Sequence, residues 1–253
     1  MPAIFIAGLV LSAAIGLSLG LIGGGGSILT VPILVYLLGV GPHEAVGMSL
    51  AVVGATSLFG SYLHWKRDNV DFRGGLLFGA AGTVGAFIGS PLTRLVSPEA
   101  LLLMFGLLML LVAGLMLWHR KRPVSEVLPA VHPGKAIAAG AGVGVLTGFL
   151  GVGGGFLVVP ALIFFGGLPM KKAVGTSLFV IFLNCVAGLL GHLGQSAFDW
   201  GLTSAVMTLA VGGTLGGTIL SHRLEAHRLQ RLFAILVLAV AVFLVAKNYS
   251  ILA

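Results

Sequence analysis

Two glycine clusters mark where backbone alone can meet a ligand in this chain. Gly23-Gly24-Gly25-Gly26-Ser27 interrupts one apolar stretch, and Gly151-Val152-Gly153-Gly154-Gly155 interrupts another. Clustered glycines disfavour continuous helix by about 1 kcal/mol each relative to alanine. Inside a bilayer, non-helical backbone persists only where protein or a water-filled cavity satisfies its polar groups. A short helix beginning at such a break aims unpaired N–H groups, and its positive dipole end, into that cavity. The chemistry implied is capture of a small anion without a charged side chain. Packing by small residues is the competing explanation. It suits the spaced glycines Gly85, Gly89, Gly213 and Gly217, but packing seldom calls for four adjacent ones.

Polar side chains near the breaks extend the candidate site. Ser49, Thr176 and Ser177 belong to a repeated Ala-Val-Gly-x-Ser-Leu. With Ser27, they either donate to an anion or bond carbonyls of their own helix. Asn184, with Thr56 and Cys185, lies deeper in an apolar run. Its amide requires a partner there, either substrate or a neighbouring helix. His64 and His192 close equivalent apolar runs, where they serve a gating or proton-linked role or sit solvated at the interface. Asp71 and Asp199 precede apolar runs and read as N-caps.

These residues must be held by membrane helices. The 253 residues are 58% hydrophobic and 8% charged, with a mean hydropathy of +1.12. Soluble domains carry about 25% charged residues. Apolar runs fall at 3–22, 28–40, 44–64, 72–93 and 100–118, and again at 136–150, 156–168, 173–192, 200–221 and 229–247. Most approach the ~20 residues of a spanning helix, and three are shorter. The net charge of +7 lies in short turns, as the positive-inside rule places it, so no nucleic-acid partner is expected. The lone Cys185 excludes a disulfide framework. The amino-terminal run, which lacks the charged region of a secretory signal, is expected to be retained.

The two sets of runs are one unit used twice. An offset of 128 residues aligns LGLIGGGGSILTVP (19–32) with TGFLGVGGGFLVVP (147–160), His64 with His192 and Asp71 with Asp199. Without a gap, 28 of the 102 positions from Gly16 to Leu117 match. If the first two runs of each half form a hairpin, 12 basic residues share one side, leaving Arg94 and Lys247 on the other. A single broken crossing would split them 8 to 6. The rule favours the hairpin, hence five elements per half and opposite insertion of the halves. The expected fold is an all-α polytopic membrane protein of two inverted-topology repeats. Each holds a hairpin of short helices with a glycine-rich break plus three spanning helices. Repeat one is 1–118, a cytoplasmic linker 119–134, and repeat two 135–253, with both termini outside.

The motifs GLIGGGGSILTVP and GFLGVGGGFLVVP, each followed by AVG-x-SL, resemble the paired signatures of the TauE/SafE sulfite-exporter family of bacterial permeases. The resemblance covers essentially the whole chain. It implies an inner-membrane transporter of sulfur-containing anions such as sulfite, sulfonates or thiosulfate. Val152 departs from the glycine pattern and makes the half-sites unequal.

The expected function is a secondary carrier for small anions with a midplane site at the breaks. The rivals are an anion channel using the same backbone, and a membrane scaffold without ligand. All seven carboxylates (Glu44, Asp68, Asp71, Glu99, Glu126, Asp199 and Glu225) map to loops or helix ends. No acid at membrane depth is left for proton coupling or for hydrolysis. No enzyme activity, cofactor or metal is expected. Substrate identity, coupling ion, direction and oligomeric state are not encoded legibly.

Overall fold

A computed structural model describes residues 2–89, 98–118, 133–150, 155–192 and 199–248. The first half comprises α1 (Pro2–Ile22), α2 (Gly25–Pro32) continued by a π-helical turn (Ile33–Leu37), α3 (Pro42–Trp65), α4 (Phe72–Gly89) and α5 (Pro98–Trp118). The second comprises α6 (Pro133–Leu150), α7 (Gly155–Phe164), α8 (Met170–His192), α9 (Trp200–Arg223) and α10 (Ala226–Asn248). No strand occurs among the described residues. Helix starts repeat at the offset of the sequence. Pro42, Phe72 and Pro98 open α3, α4 and α5, and 128 residues on, Met170, Trp200 and Ala226 open α8, α9 and α10.

Among the described residues, four helical segments are long and apolar enough to cross a membrane: Phe72–Gly89, Met170–Leu189, Trp200–Arg223 and Ala226–Phe243. Shorter apolar segments run Gly8–Ile22, Gly106–Leu117, Ile137–Leu146 and Gly155–Phe164. Large apolar side chains such as Val84, Phe87, Ile88, Val242 and Phe243 point outward from α4 and α10. An outer surface of this kind suits hydrocarbon rather than water. The chain is a multi-pass membrane protein.

The halves interleave. α1 packs along α9, and α4 along α6, so the first helix of each half lies on the fourth helix of the other. Small residues allow the approach. A Cβ at Gly16 would overlap the Ala210 carbonyl, and one at Gly213 the Ala13 carbonyl. Gly85 meets the Ala141 carbonyl, and Gly144 the Gly82 carbonyl, in the same way. The packing expected of Gly85 and Gly213 is what these residues do, and Gly217 likewise meets the Leu17 carbonyl.

The centre is the crossing of α3 and α8. Gly60 faces Leu178, Gly54 faces Cys185 and Leu50 faces Gly188. One number rises as the other falls, so these repeat-equivalent helices run antiparallel. α1, α3 and α9 instead end together. His64 of α3 reaches the Gly20 carbonyl of α1, and its ring meets His222 of α9. Lys171, at the start of α8, joins the same end through the His222 carbonyl.

Candidate functional site

α1 ends because Gly23 turns. Its φ of +85° is a left-handed conformation that side chains strain to adopt. The Gly23 amide still bonds the Leu19 carbonyl (2.8 Å) and the Gly24 amide the Ile22 carbonyl (3.2 Å). α2 then starts at Gly25 with Gly24 as N-cap and no side-chain cap. The first amides of a helix have no carbonyl in their own turn to bond. The Ser27 hydroxyl donates to the Gly24 carbonyl at 2.8 Å.

The break of the first half faces the start of α7 in the second. A Cβ on Gly24 would overlap the Gly155 carbonyl, and one on Gly155 would stand 2.5 Å from Ser27 Oγ. A Cβ on Gly23 would stand 2.5 Å from Ser177 Oγ and 3.1 Å from Val159 Cγ2. Gly26 packs on α1, where its Cβ would meet the Ile15 carbonyl. Gly23, Gly24, Ser27, Gly155 and Ser177 are thus one cluster at the contact between halves. Gly151, Gly153 and Gly154 lie outside the described residues.

The remaining candidates separate. Ser177 is fully buried and donates to the Val174 carbonyl at 2.8 Å, leaving its oxygen lone pairs toward Gly23. Ser49, its repeat equivalent, is also buried. Thr176 belongs to α4 instead: its hydroxyl accepts the Asp71 amide at 2.9 Å. Asn184 Oδ1 accepts from Thr83 Oγ1 at 3.2 Å, a bond between helices. Thr56 bonds the Val52 and Val53 carbonyls of its own helix. Asp71 and Asp199 cap α4 and α9, accepting from Gly74 and Leu202 at 3.0 Å each. Their own amides are held across the halves, by Thr176 and by Glu44 Oε1 at 3.1 Å.

His64 is 1% exposed. Its Nε2 lies 3.2 Å from the Gly20 carbonyl, three residues before the break, and its ring centroid 4.9 Å from that of His222. His192 ends α8, at the opposite end of the α3–α8 crossing. The partner missed in the sequence is His222. Its repeat equivalent is Arg94, and a search for identical residues passes over a histidine paired with an arginine. Both are cationic types, which was the available signal.

Comparisons with known proteins agree with this architecture. The family model described as "Sulfite exporter TauE/SafE" matches residues 7–244. A "Probable membrane transporter protein" of Xylella fastidiosa (strain 9a5c) is 38% identical over 247 residues, 93% of each chain. "Probable membrane transporter protein YunE" of Bacillus subtilis (strain 168) is 32% identical over 240 residues, 85% of this chain and 88% of its own. A third relative, "Probable membrane transporter protein MJ0441" of Methanocaldococcus jannaschii, is 30% identical over 200 residues. No solved structure matches the chain. A family match across nearly the whole length, carried by helices that suit a bilayer and by relatives named as transporters, makes this chain a membrane transporter of the sulfite exporter TauE/SafE family.

Proposed function

We propose that the protein is a secondary carrier of small anions, sulfur-containing ones such as sulfite, sulfonates or thiosulfate, working by alternating access between inverted halves. The observation that carries this reading is the meeting of the two breaks, with Gly23 and Gly24 against Ser177 and Gly155. An uncapped helix start offers backbone donors and a positive dipole end to an anion. Ser177 and Ser27 add hydroxyl groups beside them. The antiparallel crossing of α3 and α8 supports inversion, and membership of a family described by sulfite export supports a sulfur oxyanion. In this reading the protein sits in the bacterial inner membrane, with the 119–134 linker cytoplasmic and both termini outside. Thr176 and Asn184 serve the scaffold rather than the substrate.

Flux in proteoliposomes tests it. Radiolabelled sulfite, thiosulfate and a sulfonate are offered to wild type and to Ser177→Ala. If the Ser177 hydroxyl turns from the Val174 carbonyl to the bound anion, it supplies one donor worth about 1.5–3 kcal/mol, so half-saturation in Ser177→Ala should rise about tenfold or more while thermal stability stays near that of wild type. Gly24→Leu, which must displace the Gly155 carbonyl, should abolish flux and leave membrane insertion intact. Saturable flux with counterflow is the carrier's signature, whereas large unitary currents would indicate a channel. Absence of flux and of anion-dependent stabilisation for every anion offered would leave only the scaffold.

A further inference from the structure

The glycine breaks leave a second set of polar groups unexplained, one turn away where α1, α3 and α9 end together. Ser57, Ser61 and His64 follow one another at helical spacing along α3 and are buried, as are Thr214, Thr218 and Ser221 along α9. Among the described residues, Ser57 Oγ, Thr218 Oγ1, His64 Nδ1 and His222 Nε2 are shut from solvent and have no hydrogen-bond partner. Each such atom costs about 1–3 kcal/mol when left unpaired. A cluster of them within one helix junction suits a site that binds something.

The tautomer of His64 says what. Its Nε2 lies 3.2 Å from the Gly20 carbonyl. A carbonyl only accepts, so Nε2 carries the ring proton and Nδ1 of the neutral ring offers a lone pair. His222 stacks 4.9 Å away, with Lys171 Nζ 3.4 Å from its carbonyl oxygen. Arg67 and Lys171 are the charged side chains whose fields reach the pair. Of the carboxylates in the adjoining turns, Asp71 bonds the Gly74 amide, Glu225 pairs with His227 and Arg228, and Asp68 is exposed at the turn after α3. The ring pair therefore combines a cationic surrounding with one lone pair that must be met by a donor.

We propose that His64 and His222 form a binding station for a small oxyanion that still holds one proton, set between the break and the basic face. The O–H of the anion donates to His64 Nδ1. Its charged oxygens accept from His222 Nε2–H, within the field of Lys171 and Arg67. The shared proton has the same owner in sum whether it sits on oxygen or on nitrogen. A fully deprotonated dianion therefore binds with uptake of one proton, and a monoprotonated anion with none. The duplication supplies a counterpart. The 128-residue offset carries His64, His222 and Lys171 onto His192, Arg94 and His43, a basic type at each position. In the carrier reading, on which this inference rests, the counterpart would serve the path to the other face.

The test uses full-length protein labelled with 15N-histidine, whose seven histidines are few enough to resolve. Sulfite, phosphate and hydrogencarbonate are titrated near neutral pH against methanesulfonate and nitrate, which hold no proton there. Two ring signals, assigned by their loss in H64Q and H222Q, should move with at least one protonatable anion and with neither control. In proteoliposomes, H222Q at the helix end should raise half-saturation for that anion about tenfold, the loss of one charge-assisted hydrogen bond. Its thermal midpoint should stay at the wild-type value. Rings unmoved by all three protonatable anions in protein that still transports would overturn the station and leave the carrier intact. Rings that move in protein with no flux would uphold the station and overturn the carrier. Rings unmoved and flux absent would overturn both.

Discussion

Neighbouring residues on one helix meet different partners. Thr176 and Ser177 are adjacent and both fully buried. They differ by about 100° around the helix axis, enough to face different helices. Thr176 holds the amide that opens α4, and Ser177 faces the break at Gly23. Thr176→Val should therefore leave the Asp71 amide unpaired and destabilise by about 1–3 kcal/mol, with half-saturation unchanged. Thermal unfolding beside concentration-dependent flux separates the two effects, and a shifted half-saturation at unchanged stability would return Thr176 to the site. The sequence makes all of these hydroxyls candidates, because their type and spacing near the glycine clusters are legible. Which of them faces the break depends on the angular phase of α8 against α3 and α4. That phase is set by packing partners far away in the chain, so no local pattern contains it. His222 was illegible for a related reason, since its role comes from where α9 ends relative to α3.

At the scale of elements, much more could be read directly. Hydrophobic runs and the 128-residue offset give five elements per half, and the helices start where that offset requires. The π-helical turn at Ile33–Leu37 was not visible as such. It follows Pro32, which lacks an N–H to give and so removes one rung from the ladder before the slip. Glycine use also differs along one helix in a way that only packing decides. Gly213 of α9 faces the Ala13 carbonyl of α1, whereas nothing lies within 4 Å of a Cβ on Gly212 or Gly216. Gly213→Ala forces backbone apart and should cost about 1–3 kcal/mol. Gly212→Ala and Gly216→Ala should be neutral or stabilising by up to about 1 kcal/mol, since alanine is the better helix former. Thermal midpoints in one detergent check all three. Equal losses at the three positions would mean that α1 and α9 do not pack through this face.

The whole molecule poses the question that decides between hairpin and broken crossing. In the hairpin topology, the turn after α3 and the turn after α9 open on one face. If each break were a single crossing, those turns would open on opposite faces. Contact between His64 and His222 and between Lys171 and the His222 carbonyl gathers the turns at one end. The opposite end carries Glu44 beside Asp199. In the proposed topology the 12-to-2 division of basic residues would put the His64 end on the cytoplasmic side, because translocating Lys and Arg is disfavoured. Single cysteines test this on a Cys185→Ala background, Cys185 being the native cysteine and buried. Asp68→Cys and Glu225→Cys, both at exposed turns, should react with a membrane-impermeant maleimide only in inside-out vesicles. Gly41→Cys and Asp199→Cys, also exposed, should react only in right-side-out ones. Opposite labelling of Asp68→Cys and Glu225→Cys would instead require a single crossing at each break. The two glycine clusters would then be kinks in spanning helices, with no pair of helix starts to receive an anion.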